Sequence, residues 1–388
     1  MSATATGDDF TEATVPRTEV ESPESGWDWP LLVIVGALIG FGLLMILSAS
    51  SLDADATYGN AMHFVTRQIG GLAGGGILAI GAVLVPWRYV RKGVYPLYFA
   101  TLMLLVIVLS PLGHSAKGAT RWISVGPINF QPSEMAKLVL VLALAHYLAC
   151  NQGRLRDVVG VAAPGVGLVV PLAIAVIFQR DFGTTVILFG LTGVLFVVAG
   201  LQWRWVMAMA ATAFAALLGL VIVEPYRLKR ISSFLDPFAD PDGAGYQVVQ
   251  GWIALATGGL TGTGLASGVA QRGFLPEAHN DFILAVIGEE LGAVGWAVAV
   301  GLTVLLVWRA TLIAVRSREL YSILAGVGIA SLFGGQALIN IGVVGGVLPA
   351  KGLVLPFLSY GASAAVVDMF ALGILLRISM RRADTQET

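Results

Sequence analysis

Charged residues are scarce in this sequence: Asp, Glu, Lys and Arg make up 12% of its 388 residues. A soluble domain carries about a quarter, so most of the surface of this protein does not face water. The formal net charge of -1 gives the protein no overall positive field that would attract nucleic acid. The single cysteine, Cys150, excludes an intramolecular disulfide and a cysteine-rich metal site. These deficits favour an integral membrane protein.

Long apolar stretches with few charges recur along the chain. Most approach the ~20 residues that a helix needs to cross a hydrocarbon core of ~30 Å. We therefore expect an all-α membrane protein with about ten transmembrane helices. The stretches lie at roughly 30–52, 66–85, 94–111, 133–149, 159–178, 183–200, 205–223, 281–308, 320–343 and 353–377.

The ends of the chain differ from this ten-span domain, which we place at 29–380. Residues 1–28 are polar and acidic, so they predict a disordered tail. A cleaved signal peptide would have a basic segment, then an apolar core, then a cleavage site with small residues. This order is not found there, which argues against a signal peptide. Residues 381–388 form a short second tail.

Orientation follows from the distribution of Lys and Arg, which favour cytoplasmic loops. With the N-terminus in the cytoplasm, twelve lie in short inner loops and the tail, and four in short outer loops. Both termini are therefore expected in the cytoplasm, and the long loop 224–280, between spans seven and eight, outside. The inner set is Arg88, Arg91, Lys92, Arg154, Arg156, Arg204, Arg309, Arg316, Arg318, Arg377, Arg381 and Arg382, and the outer set is Lys117, Arg121, Arg180 and Lys351.

The loop 224–280 carries apolar residues at helical spacing from Tyr246 to Ala256. This pattern predicts an amphipathic helix lying at the membrane surface. The glycine-rich run 258–268 (GGLTGTGLASG) predicts a flexible turn region. A phosphate-binding loop is not favoured there, because the strand-then-helix setting of such loops is missing.

Three ionisable residues, Glu277, His279 and Asp281, lie where this loop enters the eighth span. Ionisable groups at membrane depth are costly and mark candidate functional sites. Two interpretations of Asp281 stand side by side: a cap on the following helix and a catalytic base.

A second candidate cluster begins the fourth span. Pro132 and Glu134 suit the first turn of a helix, and Lys137 follows one turn deeper on the same side. An i,i+3 ion pair is favoured by this spacing. The alternative is a cation that binds a phosphate group.

The remaining candidates lie at two other loop ends and deeper in the spans. Asp181 precedes the sixth span, and Lys351 and Ser359 belong to a Gly-, Pro- and Ser-containing stretch that predicts a broken helix lining a cavity. Four deeper polar residues serve either as interhelical hydrogen-bonding partners or in catalysis, with the former favoured. They are Glu289, Glu290, Asn340 and Asp368.

Four motifs and one longer stretch together resemble the SEDS family (shape, elongation, division and sporulation), represented by FtsW, RodA and SpoVE. The motifs are QPSEMAKL at 131–138, DFGTT at 181–185, LPEAHNDFILAVIGEELG at 275–292 and LPFLSYGAS at 355–363. The longer stretch runs from Tyr226 through Ser233 and Asp236-Pro237 to Gly245-Tyr246-Gln247. The Glu-Ala-His sequence of the third motif is more similar to FtsW or SpoVE than to RodA. The resemblance therefore implies a ten-span SEDS fold and a role in cell division.

The resemblance also implies an activity and roles for single residues. It predicts an inverting peptidoglycan glycosyltransferase that polymerises lipid II into β-1,4 glycan strands at the outer face of the cytoplasmic membrane and releases undecaprenyl diphosphate. Asp281 matches the proposed catalytic base, and the predicted substrate-binding residues are Lys137, Arg121, Glu134, Glu277, His279, Asp181, Lys351 and Ser359.

Partners follow from the resemblance as well: a class B penicillin-binding transpeptidase and divisome proteins. A divalent cation, Mg²⁺ or Mn²⁺, is reported in the family, but no residue pattern in this sequence identifies its site. Two rival functions stand beside the enzyme, namely a lipid II flippase and a scaffold without catalysis. The chain departs from the family pattern at Arg180, Gly251, Asn280 and Ala362.

Overall fold

The computed structural model describes residues 27–116, 119–126, 128–154, 158–223, 234–240, 243, 245–269, 274–349 and 352–384. Most of the predicted N-terminal tail, the last four residues, part of the loop 224–280 and the candidate Lys351 lie outside these ranges.

The described chain is mostly helical. Nine of its helices are long and apolar enough to cross a membrane: α1 to α6 and α9 to α11. The predicted seventh span is also a helix, α7, but is not among these nine, so the count of ten stays a prediction. The helices are α1 (Trp29–Tyr58), α2 (His63–Leu84), α3 (Trp87–Val108), α4 (Pro132–Cys150), α5 (Val158–Phe178), α6 (Phe182–Ala199), α7 (Trp203–Val223), α8 (Tyr246–Gly258), α9 (Ile283–Val315), α10 (Leu320–Val344) and α11 (Ala362–Asp384).

The interior of the bundle is organised around α4. In the most apolar stretch of α4, 72% of the residues are buried inside the protein, compared with 22% in α3. Helix α4 is therefore central and α3 peripheral. Most of its side chains are buried, from Leu138 to Ala145 without a break. A helix that is apolar on all sides is expected in such a position.

Glycines allow α2 and α11 to lie backbone to backbone. A Cβ atom on Gly71 would come within 2.6 Å of the Ala362 carbonyl oxygen, and one on Gly373 within 2.5 Å of the Ala79 backbone. Gly75 meets Val366 in the same way. Small residues bring transmembrane helices together because packing, rather than the hydrophobic effect, drives their association.

A small antiparallel sheet lies at one end of the bundle, between α3 and α4, in a part of the chain outside the predicted spans. Its strands are β1 (Gly113–Ala116), β2 (Ala119–Val125) and β3 (Ile128–Phe130), in the order β1-β2-β3. The β-branched and aromatic residues of the run TRWISV were the available signal. The end of the bundle that carries this sheet, where α2, α4, α6, α9 and α11 begin, is called the sheet end below.

The helix predicted in the long loop is confirmed as α8. Its buried face, with Val248, Val249 and Ala254, packs mainly against α9, while Ile253 is exposed. The side chain of Phe282 fills the space beside Gly251, since a Cβ atom there would lie 2.9 Å from its ring. The apolar face of α8 is therefore directed at the protein.

The glycine-rich run after α8 is docked into a break of α9. Gly292, with φ 67° and ψ -165°, leaves the helical path. The Glu289 and Glu290 carbonyls instead accept hydrogen bonds from the N–H groups of Thr263 (2.9 Å) and Gly264 (3.0 Å). In return Ala293 donates to the Gly259 carbonyl at 2.9 Å. Interrupted backbone inside an apolar bundle needs such partners.

The last helix begins later than predicted. Residues 352–361 are not helical, and α11 starts at Ala362 rather than near 353. Phe357 has a positive φ of 61°, which breaks any helix that would pass through it. The stretch is called the irregular segment below, and it is the non-helical backbone that its Gly, Pro and Ser content predicted.

The docked run yields a first prediction. A Cβ atom on Gly258 would approach the Gly288 carbonyl oxygen to 1.8 Å, so Gly258→Ala must push α8 away from α9. We expect a loss of about 1–3 kcal/mol in stability, measured as a lower melting temperature and less monodisperse protein in detergent. Gly301→Ala in α9 has open space around the new methyl group and should match the unmodified protein. Equal melting of all three proteins would contradict this packing.

Candidate active site

The predicted pair in α4 forms an ion pair inside the protein. Pro132 is the first residue of the helix and Glu134 lies in its first turn, as the sequence predicts. The Lys137 Nζ atom is 2.7 Å from Glu134 Oε2, and the lysine is 1% exposed. This contact is an ion pair and not an aligned hydrogen bond, because Nζ forms no hydrogen bond with any acceptor in the described part of the chain. The ammonium therefore retains donor capacity for a further acceptor.

A second carboxylate belongs to this charged group. Asp368 of α11 is 3% exposed and interacts electrostatically with both Glu134 and Lys137. Its carboxyl group also accepts a hydrogen bond from the Phe357 N–H. Asp368 thus connects the charged pair of α4 to the irregular segment, which agrees with the interhelical role that the sequence favoured for it.

Asp281 lies just before α9 and does not occupy the cap position. The helix begins at Ile283 with Phe282 as its cap residue. Asp281 itself is nine-tenths buried. An atom at the Cβ position of Gly352 would lie 3.9 Å from Asp281 Oδ2, so the irregular segment passes directly beside the carboxylate. Of the two interpretations from the sequence, capping is wrong.

Asn340 of α10 joins Asp281 to the irregular segment. Its Nδ2 donates to the Asp281 carbonyl oxygen at 2.9 Å and to the Leu353 carbonyl oxygen at 2.8 Å. The sequence favoured a hydrogen-bonding role for Asn340 over a catalytic one, and these two hydrogen bonds agree with that prediction.

Glu277 and His279 form the turn that leads into Asp281. Glu277 has a left-handed φ of 56°, and its Oε2 accepts a hydrogen bond from Asn280 Nδ2 at 3.0 Å. The carbonyl oxygen of His279 accepts from the Tyr360 N–H at 3.0 Å. The His279 ring lies against Phe64, with centroids 4.3 Å apart, and is 6% exposed. The turn is thereby held against α2 and the irregular segment.

Arg67 and Tyr360 are neighbours of this turn that the sequence did not single out. Arg67, exposed in the second turn of α2, forms a hydrogen bond with the Tyr360 side chain. Burial raises the pKa of the Tyr360 hydroxyl, against the opposing effect of the Arg67 charge, so the hydroxyl is neutral at pH 7. Arg67 lies inside an apolar stretch of the sequence, so its sequence context indicates a membrane span and not a binding site.

Asp181, at the start of α6, and Arg121, on β2, both form hydrogen bonds that stabilise the backbone around the start of α6. The Asp181 carboxylate caps the helix, accepting from the Thr184 N–H (3.2 Å) and hydroxyl (2.9 Å). The Arg121 guanidinium, on β2, donates to the carbonyl oxygens of Gln179 and Arg180. Ser133 donates to Asp181 Oδ2 at 3.3 Å, which connects this corner with the start of α4. Contacts of Asp181 and Arg121 with substrate stay predictions.

Ser359 closes a turn of the irregular segment. Its hydroxyl accepts from the Leu355 N–H at 3.0 Å, and the residue is 3% exposed. The hydroxyl group therefore has a structural role, and its contact with substrate stays a prediction. Lys351 lies outside the described residues.

The described residues contain no group of three or more His, Cys, Asp or Glu side chains arranged to hold a metal ion. The donor set around Asp281 therefore does not identify a site for the divalent cation, and no chemical step is derived through one.

Comparison with known proteins decides the family. The model of the FtsW/RodA/SpoVE family, described as "Cell cycle protein", matches residues 29–384. The chain belongs to this family. A "Probable peptidoglycan glycosyltransferase FtsW" of Halothiobacillus neapolitanus is 41% identical over 372 residues, covering 92% of this chain and 87% of the relative. One of Geobacter sp. (strain M18) is 38% identical over 362 residues, covering 92% and 97%. The predictions of a SEDS protein and of a peptidoglycan glycosyltransferase are confirmed.

Solved structures give the same result for the fold. A chain in a structure described as "Structural coordination of polymerization and crosslinking by a peptidoglycan synthase complex" superposes with a TM-score of 0.76 at 31% identity, covering 92% of this chain and 98% of that one. The rod shape determining protein RodA of Thermus thermophilus superposes with a TM-score of 0.68 at 30% identity and the same coverage. The chain is a multi-pass membrane protein of the SEDS fold.

Two departures from the SEDS pattern have a visible structural basis. Arg180, where the family usually has proline, takes a φ of 60° that a proline ring cannot adopt. Gly251, where serine is frequent, packs against the Phe282 ring. Proline would not fit the backbone at position 180, and a side chain at position 251 would meet the Phe282 ring.

The charged pair of α4 yields the second prediction. Lys137→Met should abolish or severely reduce glycan synthesis by this SEDS protein, measured as lipid II polymerised by purified protein. A buried Glu134 left without its cation would also cost roughly 3–5 kcal/mol in stability.

The double variant Glu134→Gln with Lys137→Met separates the two effects, since it removes the unpaired charge. Folded but inactive protein is the expected result. Recovery of polymerisation by the folded double variant would mean that Lys137 only neutralises Glu134.

Proposed function

We propose that this SEDS protein polymerises lipid II at the sheet end of its bundle, with Asp281 as the general base. The observation that carries this proposal is the position of Asp281: a nine-tenths buried carboxylate that is not used as the helix cap and lies beside Gly352, which has no side chain to cover it. A base at this position can reach a hydroxyl group that enters over Gly352.

The reaction is a direct displacement. Asp281 accepts the proton of the GlcNAc 4-hydroxyl at the end of one lipid II molecule as its oxygen attacks the anomeric carbon of MurNAc in the other. The bond from that carbon to the diphosphate breaks, and undecaprenyl diphosphate leaves. A single displacement inverts the α linkage of the donor into a β-1,4 bond.

The departing diphosphate needs positive charge, because negative charge grows on its oxygens as the bond breaks. Lys137 is suited to this role, since its buried ammonium keeps donor capacity beside Glu134. Arg67 and Arg121 are two further cations at the sheet end, and Arg67 is the more exposed of the two. We assign the leaving group to Lys137 and the approach of the phosphates to the arginines.

The sheet end faces the outside of the cell in this proposal. The twelve-to-four distribution of Lys and Arg supports this orientation, which puts both termini in the cytoplasm. A flippase is the second candidate function, because a multi-pass bundle with buried charges suits transport of a head group. The candidate residues cluster at one end of the bundle instead of between two symmetric halves, and this favours the enzyme.

The partner is proposed to be a class B penicillin-binding transpeptidase, with divisome proteins around the pair. The similarity to a chain of a peptidoglycan synthase complex supports such a partner, because the description of that structure names both polymerization and crosslinking. Septal wall synthesis during cell division is the proposed setting, in line with the FtsW names of the relatives.

Asp281→Asn tests the base directly. The amide keeps the size of the side chain and loses the basic carboxylate, so polymerisation should fall by ~10²–10⁴-fold, the usual contribution of a general base. Binding of lipid II and insertion into the membrane should stay normal. The assay uses purified protein with lipid II, with the transpeptidase activity of the partner blocked.

Asp55→Asn is the matched control: the same chemical change at an exposed position in the last turn of α1. It should keep the full rate. A flippase would instead translocate lipid II in liposomes and make no polymer even without substitution. An Asp281→Asn protein that polymerises at the unmodified rate would refute the assignment of the base.

A further inference from the structure

The irregular segment is held by side chains from three helices. Its own backbone forms few regular hydrogen bonds, and buried backbone groups must find partners elsewhere. Gln68 of α2 donates to the Ser359 carbonyl at 3.3 Å and accepts from the Gly361 N–H at 3.0 Å. Asp368 of α11 accepts from Phe357, and Asn340 of α10 donates to Leu353 at 2.8 Å.

Asn340 differs from the other two because it also bonds to Asp281. One amide nitrogen supplies both hydrogen atoms, one to the Asp281 carbonyl and one to the Leu353 carbonyl. The orientation of the amide follows from these partners: both are acceptors, so the nitrogen and not the oxygen must face them. The side chain is 2% exposed, so water does not compete for these bonds.

The amide oxygen of Asn340 accepts no hydrogen bond from the described residues and is itself buried. Leaving a buried acceptor without a donor costs about 1–3 kcal/mol. An apolar side chain of the same size would avoid this cost, but it would leave the Asp281 and Leu353 carbonyl oxygens without their donor. The amide therefore holds both carbonyl groups in place at the cost of one unmade hydrogen bond of its own.

We propose that Asn340 is a positioning residue for the Asp281 carboxylate. By tying the backbone of Asp281 to Leu353, it sets the place of the carboxylate beside Gly352, where the acceptor hydroxyl would enter. This inference rests on the proposed role of Asp281 as the base. Asn340 acts through Asp281 and contacts neither sugar nor diphosphate, so it affects the rate of the chemical step and not substrate binding.

The test is steady-state polymerisation of lipid II by purified full-length Asn340→Leu in complex with its transpeptidase. Leucine is close to asparagine in size and removes both donor hydrogens without adding charge. We expect kcat to fall by about 10- to 100-fold, since a displacement of about 1 Å of a reacting group costs on the order of 10²-fold. The KM for lipid II should stay within about twofold, because the contact with substrate is unchanged.

Gln336→Met is the matched control, another buried amide of α10, one turn earlier, replaced by an apolar side chain of similar length. It should keep kcat and KM. Melting temperatures of the three proteins show whether they fold. Should Asn340→Leu not fold, Asn340→Ser replaces it, because the shorter, uncharged hydroxyl has one donor hydrogen instead of two and cannot hold both carbonyl groups.

Three results would overturn the inference: kcat within twofold of the unmodified protein in a folded variant, an equal fall of kcat in Gln336→Met, or a raised KM with unchanged kcat. The outcome is separable from that of the proposed function. If Asp281→Asn is inactive while Asn340→Leu keeps full kcat, the base stands and only the role of Asn340 fails. If Asp281→Asn is fully active, the proposed function fails first.

Discussion

Backbone that leaves the helical path inside an apolar bundle must find its hydrogen-bond partners within the protein, and the architecture follows from that constraint. It applies at two places. At Gly292 the interrupted backbone of α9 exchanges hydrogen bonds with the glycine-rich run 258–268. In the irregular segment, side chains of α2, α10 and α11 supply the partners. The irregular segment passes beside Asp281 at the start of α9, and the break at Gly292 lies further along the same helix.

The same constraint explains how polar chemistry can exist in so apolar a protein. Two of the three buried side chains that hold the irregular segment also connect it to a candidate catalytic group: Asn340 to Asp281, and Asp368 to the Glu134–Lys137 pair. The base and the cation are therefore held relative to one another through one short stretch of backbone. Such indirect support is how rigid elements keep reacting groups in place during a transfer reaction.

Much of the fold could be predicted from the sequence, because runs of apolar residues and loop charges report directly on membrane helices. The first turn of α4 and its ion pair followed from spacing alone, as did α8 in the long loop. Asp281 was a candidate for capping or catalysis, and only the start of α9 at Ile283 argues against capping.

What the sequence could not predict depends on contacts between distant residues. Arg67 looked like part of a span, and its hydrogen bond to Tyr360 joins residues almost 300 positions apart. The link from Asn340 to Asp281 is likewise a property of the packed bundle. The sheet β1-β2-β3 was missed because its strands are as short as three residues, and the late start of α11 because the segment before it is as apolar as a helix.

The central claim is that Asp281 and Lys137 act on one substrate-binding site at the sheet end. A structure of the inactive Asp281→Asn protein in lipid nanodiscs with lipid II bound would test it most directly. We expect a diphosphate oxygen at about 3 Å from the Lys137 ammonium and a sugar hydroxyl beside the residue 281 side chain, over Gly352. Lipid II head groups bound at the opposite end of the bundle, or a diphosphate out of reach of Lys137, would contradict it.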